Sequence, residues 1–156
     1  MANNPDQKFT KREWLESYIR YSNDNLRVAI LPDLYSLNNV RYKLICNSIE
    51  FALKGLLYNF GHQFNDLKIK YGHDIYALAS IICTEYFINK GKYLLTDSEL
   101  KDIKKVSPLY ENSLLNYPNE KYKGVPGFDN LVNIVKGLVG ELELECKKLP
   151  SKMTKQ

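Results

Sequence analysis

Apolar positions recur along most of this chain at three- and four-residue spacing, the period of a helix buried on one side. Thr10 followed by Glu13 forms a capping box, and Trp14, Tyr18, Tyr21 and Leu26 continue as a helical stripe until Pro32 stops or kinks it. A second helix is expected from about Leu34–Ser36 to Phe60, with Val40, Leu44, Ser48, Phe51, Gly55 and Leu56 on one face. Ile45, Ala52 and Leu53 widen that face, so this helix should be buried on more than one side, and Gly61 is placed to end it. Residues 62–71 read as a polar connection. A third helix should begin near Gly72-His73-Asp74 and carry Ile75, Leu78, Ile82 and Tyr86 inward.

Residues 87–95 suggest a bend through Gly91. A shorter helix then opens at Thr96-Asp97-Ser98-Glu99, capped by Asp97 or Ser98, with Leu100, Ile103 and Val106 as its face. Pro108 starts or kinks a continuation through Tyr110, and residues 116–127, with two prolines and two glycines, read as a loop. The last helix should run from about Asp129 to just before Pro150, with Leu131, Val135, Leu138, Leu142 and Cys146 in register. No segment alternates with period two, so no strand is expected. The pattern describes one all-α domain over residues 1–156, an up-and-down bundle of four to five helices with a core of about residues 10–149.

Composition narrows the partners. With 44% hydrophobic and 26% charged residues, the chain suits a globular fold and not a disordered one. No apolar run nears the roughly 18 residues of a membrane helix, and the polar start is no secretory signal, so a cytoplasmic protein without membrane contact is expected. Cys46, Cys83 and Cys146 are scattered in apolar stretches, as buried thiols would be, and offer no zinc spacing. The net charge of +4 comes from lysines interleaved with acids, which permits contact with RNA or a nucleotide without requiring it. Twelve tyrosines suit helix borders, interfaces and stacking surfaces.

One constellation carries chemistry. Glu50 and Lys54 lie four apart in the second helix, and His73-Asp74-Ile75 opens the third; further on come Tyr110 and Asn116-Tyr117-Pro118. This set resembles the HEPN family: a glutamate and a lysine four apart on the second helix, a His-Asp-aliphatic start to the third, and a tyrosine and Tyr-Pro landmark before the last helix. The layout covers residues 10–148, the motifs about 40 of them. The resemblance implies a helical bundle, often a homodimer, that cleaves RNA in many members. In others it binds nucleotide or regulates a partner, frequently a neighbouring nucleotidyltransferase, or serves in toxin–antitoxin and phage-defence systems.

The family's metal-independent ribonucleases place an arginine four to six residues before a histidine, pairing a group that titrates near neutrality with a fixed charge for the phosphate. The only histidines here are His62 and His73, and neither has that arginine; Lys68 has the spacing to His73 but stands before the third helix. No catalytic residue, metal site or cofactor is therefore assigned. The expected reading is a binding or regulatory module with a polar pocket of Glu50, Lys54, His73, Asp74, Tyr110 and Tyr117, contacting nucleotide, RNA or a partner protein. Its alternatives are a divergent ribonuclease using His73 with Lys54 or Lys68, and a structural adaptor for a neighbouring enzyme. The plainer reading of the same residues is an i,i+4 ion pair, a helix-start aspartate, a loop-fixing histidine and packing tyrosines. The broad apolar faces of the second and last helices add an expectation of a homodimer.

Overall fold

The computed structural model describes residues 8–116 and 124–151, and among them every regular element is helical. Six α-helices follow in chain order: α1 (Lys11–Ala29), α2 (Asn38–Asn59), α3 (Phe64–Tyr71), α4 (Ile75–Lys90), α5 (Asp97–Glu111) and α6 (Phe128–Lys147). Short 3-10 turns at Pro32–Leu34 and Leu114–Asn116 join α1 to α2 and follow α5. No helix among the described residues is long and apolar enough to cross a membrane.

The α1 capping box forms as expected: the Thr10 hydroxyl accepts from Glu13 N at 3.2 Å, and Thr10 N donates to the Glu13 carboxylate at 2.8 Å. Its inward stripe keeps Tyr18 and Leu26 from the expected one, with Trp14 partly buried against the core, but is displaced at Tyr21. Leu15, Tyr18, Ser22, Leu26 and Ala29 are buried, while Tyr21 is half exposed and stacks on Phe51. The displacement has a packing reason. Ser22 and Ser48 are fully buried where α1 meets α2, and each hydroxyl donates to the other residue's backbone oxygen, at 2.8 and 2.5 Å. Small residues let the two helices approach there, and the reciprocal bonds satisfy both hydroxyls.

Helix α2 is the spine. It packs against α1, α4, α5 and α6, and Ile45, Ile49, Ala52, Leu53, Leu56 and Leu57 are all fully buried. It starts at Asn38, later than the pattern suggested, because the 3-10 turn at Pro32 uses the intervening residues. The breadth of the apolar faces on α2 and α6 is thus consumed within one chain, and does not by itself call for a second copy. Gly55 lies where α1, α2 and α6 converge: a Cβ there would meet Leu142 Cδ2 at 2.7 Å and Tyr18 Cβ at 2.9 Å.

Four local expectations need correction. Residues 64–71 form α3 instead of a polar connection; Leu67 is its single buried residue, so it has no repeating stripe to read. Helix α4 continues through Lys90 before Gly91 ends it in the left-handed conformation, so residues 87–90 are not part of a bend. Thr96, not Asp97 or Ser98, caps α5, through a capping box with Glu99. Pro108 sits inside α5, which continues through Tyr110 as expected, so of the two readings given to it the start of a separate segment is excluded. Of the thiols, Cys46 and Cys146 are buried and Cys83 is half-buried; all three are free.

Candidate functional site

A polar stripe runs along otherwise apolar α2. Lys43, Asn47, Glu50 and Lys54 follow at spacings of four, three and four, which places them on one helix face. Only the last two were singled out from sequence. The stripe faces the start of α4 and the end of α5, and Glu50 is its centre.

Glu50 is buried, with 5% of its surface exposed. A carboxylate there needs partners for both oxygens, since desolvation of an unpaired charge is prohibitive. Lys54 Nζ donates to Oε1 at 2.5 Å, and His73 Nδ1 lies 3.0 Å from Oε2. The Tyr110 hydroxyl donates to Oε2 as well. The same hydroxyl also contacts the Asn47 amide oxygen position. A phenol carries one proton, which the charged carboxylate and the Asn47 Oδ1 share, while the Asn47 NH2 donates to Asn25 Oδ1 at 3.4 Å. Burial, and after it the Glu50 carboxylate, push the Tyr110 phenol far above its ordinary pKa, so it stays a neutral donor. Burial and Glu50 likewise raise the Cys46 thiol, which is no nucleophile.

Four expected residues, Glu50, Lys54, His73 and Tyr110, therefore meet, although they come from α2, the α3–α4 turn and α5. The His73 ring lies edge-on to Tyr110, with centroids 5.6 Å apart. Its side chain is 67% exposed, with Nδ1 turned to the carboxylate. Asp74 does not join them. It caps α4 by accepting from Ala77 N at 2.9 Å, and Ser107 Oγ donates to it at 3.3 Å while accepting from Tyr76 N. Tyr117 lies outside the described residues.

A cavity of about 150 Å³ opens above this knot, lined by Lys43, Asn47, His73, Tyr110, Ser113 and Leu115. Lys54 pairs with Glu50, and neither it nor Lys68 lines the cavity; the lysine in its wall is Lys43. Lys43 and Asn47 were legible from the α2 stripe. Ser113 and Leu115 were not, since they follow a helix end with no periodic mark.

Two further polar clusters are structural in their geometry. His62 Nε2 meets Glu85 Oε1 at 2.6 Å, tying the α2–α3 connection to α4. Glu145 of α6 accepts from Lys90, from Lys148 at 3.0 Å and from Asn59 at 3.1 Å. Burial works to raise the Glu145 pKa, but the hydrogen bonds from Lys90, Lys148 and Asn59 and the charge of Lys90 prevail and hold it below the ordinary value. No group of three or more metal-ligating side chains is gathered among the described residues. Fold and site together define an all-helical protein with a small polar cavity over a buried carboxylate. No family model, curated protein or solved structure matches the chain.

Proposed function

We propose that this chain is a HEPN-like helical module that binds a phosphate-bearing nucleotide or RNA in the cavity between α2, α4 and α5, and acts by binding instead of cleavage. The observation that carries this reading is the cavity wall itself. Lys43, Asn47, His73, Tyr110 and Ser113 converge on a space of about 150 Å³, a size suited to a phosphate group. The negative charge below is already matched, since Lys54 pairs with Glu50 and Tyr110 donates to it, and the wall offers Lys43, Asn47, His73 and Ser113 as polar side chains for an anion. The absence of an arginine four to six residues before either histidine favours a non-cleaving member. Pairing into a homodimer, which the resemblance implies, is a separate part of this reading and is tested by sedimentation.

Titration calorimetry with adenosine 5′-monophosphate, inorganic phosphate and a short 5′-phosphorylated RNA tests the proposal. Binding should weaken in Lys43→Ala and His73→Ala and fall with added salt. A wild-type protein that binds none of the three at millimolar concentration refutes it.

One observation favours a second reading, the divergent ribonuclease. A carboxylate lies 3.0 Å from Nδ1 of His73, whose side chain is 67% exposed, an arrangement of the kind that orients an imidazole for general acid–base work on a ribose hydroxyl. That reading expects growth arrest on expression, relieved by His73→Ala. Normal growth with intact cellular RNA counts against it.

A further inference from the structure

Among the described residues, five have positive φ. Four are glycines, and three of these take the chain out of helices: Gly61 after α2 (φ 99°), Gly72 after α3 (φ 51°) and Gly91 after α4 (φ 64°). Glycine is the usual residue there because a Cβ is disfavoured in the left-handed region. At the exit of α5 the residue with positive φ is not a glycine. Asn112 ends the helix and Ser113 follows at φ 57°, its N–H donating to Tyr110 O at 3.1 Å. The turn itself asks for a left-handed residue, a conformation glycine adopts more easily than serine. Yet this is the exit whose side chain lines the cavity over Glu50.

We propose that Ser113 is a ligand-contacting residue of that cavity, kept in a conformation glycine would adopt more easily because its hydroxyl donates to an anionic oxygen of the bound phosphate. The inference rests on the reading of the cavity as a phosphate site. Ser113 shares the wall with Lys43 and Asn47 from α2, and with His73 and Tyr110. The site thus draws on α2, the start of α4 and the end of α5. Its backbone strain stands beside the ligand, where such strain is commonly kept.

Two variants separate conformation from chemistry. Ser113→Gly removes the strain and the hydroxyl together; Ser113→Ala removes the hydroxyl alone. The glycine variant should melt about 2 to 4 °C higher than wild type, while the alanine variant melts near it. Both should bind adenosine 5′-monophosphate about tenfold more weakly, the loss expected for one hydrogen bond to a charged group. If wild type binds and both variants match its affinity, Ser113 serves only the turn and the inference is overturned. If wild type binds neither the nucleotide nor inorganic phosphate, the reading of the cavity fails, and this assignment falls with it.

Discussion

Replacing Glu50 tests whether the polar knot holds the bundle together. In Glu50→Gln the shape is nearly unchanged, but the Lys54 ammonium loses its anion, and the amide can accept at only one atom where Lys54, His73 and Tyr110 converge on two. Breaking a buried pair from one side costs about 3–5 kcal/mol. Lys54 retains 12% side-chain exposure and can turn partly toward water, so the lower end applies, about 3 kcal/mol. For a chain of this size that corresponds to a melting temperature about 6–12 °C lower.

The assay is urea unfolding followed by circular dichroism, with Glu50→Gln, Lys54→Met and the double variant compared in a cycle. Lys54→Met should cost at least as much, about 3–5 kcal/mol, because it leaves the more deeply buried carboxylate without its cation and Oε1 without a donor, while Tyr110 and His73 serve Oε2 alone. Adding Lys54→Met to Glu50→Gln should recover about 1 kcal/mol or more, since it removes the orphaned cation. A Glu50→Gln protein within about 1 kcal/mol of wild type, with an unchanged denaturant slope, refutes the reasoning: the carboxylate would then not be the centre on which α2, α4 and α5 are joined.

Three other outcomes are expected. Gly55→Ala should destabilise by about 1–2 kcal/mol in urea unfolding, because overpacking against Tyr18 Cβ and Leu142 outweighs the gain in helix propensity; a stabilised variant contradicts the close approach of α1 and α6. Tyr110, whose folded pKa stands above the ordinary 10.0, should remain protonated when exposed phenols ionise. The unfolded chain then releases its proton first, so this residue's contribution to stability is full below pH 10 and is lost as the pH climbs above it; phenolate absorbance of wild type against Tyr110→Phe measures this. Glu145 has the opposite sign. Its folded pKa lies below 4.5, so its contribution is present above that value and disappears as the pH falls through the folded pKa; Glu145→Gln should flatten the acid limb of the stability curve and leave cavity binding unchanged.

The helices with repeating apolar faces were readable, and the exceptions share a cause. Helix α3 buries one residue, Leu67, and a single anchor has no period. On α1 the expected stripe holds at Tyr18 and Leu26, and Trp14 packs partly buried against the core, but Tyr21 is half exposed. The structure instead turns Leu15 and Ser22 in, because the α1–α2 crossing is set by the Ser22–Ser48 exchange between residues too small and polar to be counted as core. The cap of α5 shows the same competition at short range. Thr96, Asp97 and Ser98 are all able caps, and the distance to Glu99 selects the one that closes a box.

The site was legible in proportion to the chain separation of its bonds. Glu50 takes Lys54 from four residues away, a spacing fixed by the helix itself. It takes His73 from 23 residues away, across one helix and two turns, and sequence supplied that contact only through resemblance. Its third donor, Tyr110, lies 60 residues away, and nothing in local pattern aims a phenol at a carboxylate over that distance. Yet a carboxylate between Ile49 and Phe51 on a helix buried this deeply implies that donors must arrive from elsewhere in the fold. The sequence thus states the demand, and the packing of α4 and α5 against α2 decides which residues meet it. Asn47 and Lys43, one and two turns back on the same face, are where the interior of the bundle gives way to the wall of the cavity.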